Sequence, residues 1–151
     1  MQTLVIGDIH GCWQELQALL EKSGISDSDV VISLGDLVDR GPDSPAVLSF
    51  FKDRPNAFAL LGNHERKHVL AAAGKLSLNL SQLLSREQFG GSYPAAVAWM
   101  RTLPLYLELP EAVLIHGYLE PGISLGKQKS TVLTGTMSGG AWLEAHYDLP
   151  W

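Results

Sequence analysis

Gly35-Asp36-Leu37-Val38-Asp39-Arg40-Gly41 sets two carboxylates and a guanidinium between glycines, directly after the apolar run Val30-Val31-Ile32-Ser33-Leu34. The run reads as a buried strand. A glycine on each side lets the backbone turn sharply and approach a ligand closely. Carboxylates bind hard cations and arginine binds phosphate. Taken alone, the stretch also reads as a polar turn closed by an internal ion pair, so its neighbours along the chain must decide.

Upstream, Leu4-Val5-Ile6 is a short apolar strand that stops at Gly7-Asp8-Ile9-His10-Gly11. From Cys12 to about Ser23, the residues Trp13, Leu16, Leu19 and Leu20 recur at helical spacing, and Gly24 closes the helix. Downstream, Pro42 to Asp53 reads as a helix with Val47, Leu48 and Phe51 on one face. Ala57 to Leu61 is a third strand, ending at Gly62-Asn63-His64-Glu65 before a helix through Ala73. Strand, helix, strand, helix implies a parallel sheet. Tyr93 to Thr102 reads as a helix, and Leu105 to Leu109 and Val113 to Ile115 as two strands joined at Pro110-Glu111, the second ending at His116-Gly117.

Two stretches carry no clear periodicity. Gly74 to Gly91 is expected to be a mobile excursion or a cap over a site, with no chemistry assigned to it. Tyr118 to Gly140 is rich in glycine and serine, and the ending Asp148-Leu149-Pro150-Trp151 is expected to lack a finishing element, as in a fragment of a longer protein.

Four apolar strands thus end in Asp8/His10, Asp36/Asp39/Arg40, Asn63/His64 and His116. In open sheets, ligands collect beyond the carboxyl ends of the strands. The mixed oxygen and nitrogen set suits two divalent ions better than one structural zinc, which prefers thiolates. A carboxylate shared between the ions must be central, which favours Asp36. Such a pair clamps a phosphoryl oxygen and activates a water. Arg40 would neutralise the phosphate, His64 would protonate the leaving oxygen, and Asp39 would orient the His64 imidazole.

Gly7-Asp8-Ile9-His10-Gly11, Gly35-Asp36-Leu37-Val38-Asp39-Arg40-Gly41 and Gly62-Asn63-His64-Glu65, in this order and at this spacing, resemble the phosphoprotein-phosphatase type of calcineurin-like metallophosphoesterase over roughly residues 3 to 122. The resemblance implies an α/β fold with a β-sandwich flanked by helices, here incomplete at the C-terminus. It implies that Asp8, His10 and Asp36 hold a first metal and Asp36, Asn63 and His116 a second, with His64, Asp39 and Arg40 as the catalytic residues. Manganese is the first choice for both ions, with iron, zinc, nickel or magnesium as alternatives. The substrates implied are phosphoserine or phosphothreonine in proteins, or a dinucleoside polyphosphate such as diadenosine tetraphosphate. The family's histidine segment reads His-Ala-Gly, whereas this chain has His116-Gly117-Tyr118-Leu119-Glu120-Pro121-Gly122. The family's later Gly-His-Thr metal ligand is missing; His146 is read as a surface histidine in a frayed segment.

Two rival readings remain. His64-Glu65-Arg66-Lys67-His68 also satisfies the H-E-x-x-H pattern of zinc peptidases; otherwise His68 is a helix-surface residue. A chain short of a ligand also fits a catalytically impaired metal- or phosphate-binding fragment.

Composition sets the frame. The 151 residues are expected to form one domain, large enough to bury a core without staples. A formal net charge of −5 argues against coating nucleic acid or an anionic membrane. One cysteine, Cys12, allows no internal disulfide, and the N-terminus carries no signal pattern, so a cytoplasmic setting is expected.

Overall fold

The computed structural model describes residues 1–147. Strands β1 (Thr3–Ile6), β2 (Val30–Ser33) and β3 (Ala57–Ala59) form a parallel sheet in the order β1-β2-β3. Helices α1 (Trp13–Ser23) and α2 (Ser44–Asp53) make the two crossovers. α1 stops where Gly24 turns left-handed at φ 68°. α2 begins later than Pro42 because the Asp43 carboxylate caps it, accepting the Ala46 N–H at 3.0 Å.

Register places Val5 beside Ile32 and Ile32 beside Phe58. The pleat sends this row to one face of the sheet, where Val5 and Phe58 stay exposed. Val31, Ala57 and Ala59 point the other way, into a core with Leu16 of α1 and Val47, Leu48 and Phe51 of α2.

Helix α3 (Asn63–Ala72) leaves the end of the sheet. Between Gly74 and Gly91, where an irregular excursion is expected, lies α4 (Leu80–Phe89). A reciprocal capping box starts it: Asn79 Oδ1 accepts the Gln82 N–H, and Gln82 Oε1 accepts the Asn79 N–H. Its periodicity is inverted. Leu80, Leu83 and Leu84 are exposed, while Gln82 and Ser85 are buried, so a hydrophobic pattern gives no sign of which face packs.

Helix α5 (Tyr93–Met100) leads to the antiparallel pair β4 (Tyr106–Glu108) and β5 (Val113–Ile115). The fourth ligand-bearing strand therefore belongs to a second, two-stranded sheet. The Leu61 N–H, donated to the Pro104 carbonyl at 2.8 Å, links the β3 end to the approach into that hairpin.

The glycine- and serine-rich stretch after His116, expected to be irregular, also contains helices, α6 (Ser130–Leu133) and α7 (Met137–His146). Glycine is used here for close packing. A Cβ on Gly139 would run into the Thr131 carbonyl oxygen, so the helices can meet only without one. His146 occupies the last turn of α7, exposed, with its ring stacked on Trp142 and Nδ1 2.8 Å from the Trp142 carbonyl. The ending Asp148-Leu149-Pro150-Trp151 lies outside the described residues. No helix among the described residues is long and apolar enough to cross a membrane.

Candidate active site

Loop 35–41 leaves β2 in a conformation that its own sequence disfavours. Among the described residues, the non-glycine positions with left-handed backbone are His10, Asp36, Asp39 and Arg40, at φ 50, 54, 74 and 66°. Such angles are unfavourable for residues with a Cβ and persist only where the surroundings impose them. All four are residues singled out by the motifs.

Glu65 does much of the imposing. Buried at the start of α3, its Oε2 accepts the N–H of Asp36 at 2.8 Å and of Gly62 at 3.0 Å. Its Oε1 accepts the N–H of Leu37 at 2.8 Å and of Val38 at 3.2 Å. Burial, and then the neighbouring Asp36 carboxylate, push the Glu65 pKa upward, and the backbone donors oppose that shift. The loop after β1 braces the other side. Ile9 and His10 donate their N–H groups to the Asp36 carbonyl at 3.0 and 2.8 Å, and Gly41 donates to the His10 carbonyl at 2.8 Å. A Cβ at position 41 would collide with that same His10 oxygen, so the two loops interlock through a glycine.

The two loops, the start of α3 and the β5 end bring Asp8, His10, Asp36, Asn63 and His116 together. His10 Nδ1 lies 3.0 Å from the Val38 carbonyl, and His116 Nδ1 3.0 Å from the Leu34 carbonyl. A carbonyl only accepts, so the network assigns each ring its proton on Nδ1, and in the neutral imidazole Nε2 is left with a lone pair. His10 Nε2 is buried without a hydrogen-bond partner, 3.6 Å from Asp8 Oδ2 and 3.7 Å from Asp36 Oδ2. His116 Nε2 faces Asn63 Oδ1 at 3.0 Å and Asp36 Oδ1 at 3.5 Å. These are acceptors facing acceptors, an arrangement that suits a cation between them.

The donor set fits divalent metal. Asp8, Asp36 and His116 offer ligand atoms within 4.8 Å of one another, and so do His10, Asp36 and His64. Asp36 is common to both groups, with Oδ2 turned to His10 and Oδ1 to His116. The grouping is more intermixed than the motifs imply, because Asp8 also lies 4.0 Å from His116 and His64 Nε2 lies 3.9 Å from Asp36.

Beside this cluster, His64 Nδ1 is 2.6 Å from Asp39 Oδ2, and its Nε2 is 3.3 Å from the Arg40 guanidinium. Burial pushes the Asp39 carboxyl up, but the hydrogen bonds from His64 and His68 outweigh it and hold the group well below the usual carboxylate range. His68 is thus not a surface residue. It is fully buried, with Nε2 2.8 Å from Asp39 Oδ1 and Nδ1 2.9 Å from the Tyr93 hydroxyl. The zinc-peptidase reading falls with it: both histidines turn to Asp39, and Glu65 is committed to four backbone donors.

The 74–91 segment, to which the sequence assigns no chemistry, holds the loop around Arg40. Ser81 Oγ accepts the Arg40 N–H at 3.0 Å; Gln88 donates to the Gly41 carbonyl at 2.9 Å and accepts the Ser44 N–H at 3.0 Å. A cavity of about 410 Å³ opens between Arg40, Pro42, Ser81, Leu84 and Gln88. The sequence held a signal for two of the unassigned residues. Glu65 and His68 stand one and four positions beyond His64, and on a helix His64 and His68 share a face.

A mixed α/β fold carrying an oxygen- and nitrogen-rich cluster, a His–Asp pair and an arginine defines the metallophosphoesterase class. The profile of the calcineurin-like phosphoesterases matches residues 1–144, and the chain belongs to that family. It is 40% identical over 151 residues to a protein of Shewanella sp. (strain W3-18-1) named bis(5'-nucleosyl)-tetraphosphatase, symmetrical, the match covering 93% of this chain and 53% of that protein. The chain spans about half the length of the curated relatives it matches. A crystal structure provisionally assigned as a diadenosine tetraphosphatase superposes with a TM-score of 0.66 at 26% identity, covering 87% of this chain and 57% of that one. A protein serine/threonine phosphatase of Saccharomyces cerevisiae shares the fold, with a TM-score of 0.62 at 22% identity over 82% of this chain and 41% of that one.

Proposed function

We propose that this chain carries the metal-binding and phosphate-handling residues of a hydrolase that cleaves the phosphate bridge of dinucleoside polyphosphates. The observation that carries the reading is the buried, unpartnered Nε2 of His10 between the Asp8 and Asp36 carboxylates. Asp8, His10 and Asp36 would hold one divalent ion, and Asp36, Asn63 and His116 a second, with manganese the first choice for both. When bound, such ions supply Lewis acidity to phosphoryl oxygens and lower the pKa of water.

The chain's own groups complete the chemistry. Arg40 would offset charge on the bound phosphate, and His64, whose Nε2 lies 3.3 Å from the Arg40 guanidinium, would in its protonated form give the leaving oxygen a proton from that nitrogen. Asp39 holds the other face of the imidazole through Nδ1. The named Shewanella relative favours a bis(5'-nucleosyl) tetraphosphate cut into equal halves. Phosphoserine and phosphothreonine esters are the second substrate class, and the lone thiol Cys12 fits a reducing cytoplasm.

The test compares the manganese-loaded protein on diadenosine tetraphosphate, a phosphopeptide and an aryl phosphate. Fastest turnover is expected on the dinucleotide, giving two nucleoside diphosphates, and Asp36→Asn should abolish it because both clusters share that carboxylate. Faster hydrolysis of the phosphopeptide would move the substrate to the second class. Metal binding with no turnover of any of the three would favour the impaired binding fragment.

A further inference from the structure

Asp39 is fully buried, and each of its oxygens meets a different imidazole: Oδ2 faces His64 Nδ1 at 2.6 Å and Oδ1 faces His68 Nε2 at 2.8 Å. His64 faces the cluster, but His68 does not. Its other nitrogen, Nδ1, lies 2.9 Å from the hydroxyl of Tyr93 on α5. As an ionised carboxylate only accepts, His68 must donate from Nε2, and neutral His68 then accepts the Tyr93 O–H at Nδ1. The bonds from Tyr93 through His68 run one way, toward Asp39, and meet there the bond that His64 donates from the other side. Tyr93 is itself packed in place, edge-on to the His68 ring and with the Arg86 guanidinium 5.4 Å from its ring centre.

We propose that His68 and Tyr93 are positioning residues: together they fix the plane of the Asp39 carboxylate, and through it the tautomer and orientation of His64. The kinetic consequence rests on the phosphoesterase reading above; the geometry does not. With His64 as its only partner, the Asp39 carboxylate would leave Oδ1 buried and unbonded and would be free to swing about its own bond. A second imidazole, its Nε2–H committed to Asp39 and its ring held at Nδ1 by the Tyr93 hydroxyl, closes off that motion. The proton on His64 Nδ1 then stays on the Asp39 side, and Nε2 stays turned toward Arg40.

The experiment uses His68→Leu, His68→Gln and Tyr93→Phe. In the manganese-loaded protein, His68→Leu should lower kcat about 10- to 100-fold, with KM and bound metal unchanged. His68→Gln should recover most of that loss, because its amide N–H can stand where the ring Nε2–H stood. Tyr93→Phe should cost about 2- to 10-fold, and should add little on top of His68→Leu because both act on one chain of bonds. A second readout needs no turnover. The low-field proton signal of His64 Nδ1–H, recorded on metal-free protein, should survive in His68→Gln and shift or broaden in His68→Leu and Tyr93→Phe.

Unchanged kcat and an unchanged signal in His68→Leu would overturn the proposal. So would a His68→Gln variant as impaired as His68→Leu, or a loss that appears only as weaker metal binding. If His68→Leu does not fold, Tyr93→Phe decides by its own signal. If the unsubstituted protein hydrolyses none of the substrates, the proton signal alone decides for His68, and the failure lies with the function proposed above.

Discussion

Glu65 and Glu120 are both buried glutamates accepting several hydrogen bonds, yet they do different work. Glu65 takes four backbone N–H groups at 2.8 to 3.2 Å, one of them from Asp36, whose backbone is left-handed. Glu120 accepts the Trp142 indole N–H at 2.8 Å, with longer contacts from the Tyr147 hydroxyl and the Lys129 N–H, both at 3.4 Å. Its own backbone is held separately by Gln128, which accepts the Glu120 N–H and donates to the Glu120 carbonyl. Burial, followed by the Glu120 charge, raises the Tyr147 pKa. Glu65 thus shapes a strained loop that carries the candidate ligand Asp36. Glu120 chiefly ties down the Trp142 side chain of α7, a helix that is already regular. Burial of a carboxylate says little about its importance until its donors are identified as backbone or side chain.

The sharpest way to break this comparison is to truncate both residues. Glu65→Ala leaves four buried N–H groups unpaired and should cost about 3–5 kcal/mol in urea denaturation, with loss of metal binding. Glu120→Ala should cost about 1–2 kcal/mol, with metal affinity retained, since the ligand loops do not lean on it. Equal losses of stability and metal binding in the two variants would erase the distinction.

A third carboxylate sharpens the scale from below. Asp29 accepts the Gln2 N–H at 2.6 Å, the Ser26 N–H at 3.0 Å and the Ser26 hydroxyl at 2.6 Å, tying β1 to the approach into β2. The Ser26 hydroxyl, then the backbone donors, hold its pKa at about 2, below the ordinary 3.8. Because the folded value is depressed, the contribution to stability is present above the ordinary value and fades as pH falls through the folded one. The stability difference between the unsubstituted protein and Asp29→Ala should therefore be clear near neutral pH and shrink toward about pH 2, with metal binding untouched. A difference independent of pH would mean that the charge of Asp29 contributes nothing.

What the sequence disclosed was local. Asp8, His10, Asp36, Asn63 and His116 each follow a short apolar run and stand beside glycine, so each announces itself within a few residues. The Glu65 role was not legible, because three of its four donors lie 27 to 29 residues earlier in the chain. The helical spacing put His68 on the His64 face but did not disclose its burial, which depends on Tyr93 arriving from another helix 25 residues on. In α4 the obstacle was chemical: leucines face outward while Gln82 and Ser85 pack inward, the reverse of what hydrophobic periodicity assumes. In α7, Gly139 resembles a loop residue in composition and serves as a contact surface in space.

The left-handed turns at Asp36, Asp39 and Arg40 therefore depend on a brace that lies outside the motif. A synthetic peptide copying residues 30–45, or the same stretch transplanted onto another scaffold, would carry every letter of the motif and nothing to hold its shape. The portable unit is larger: it includes the β1 loop that interlocks at Gly41 and the first turns of α3 that supply Glu65.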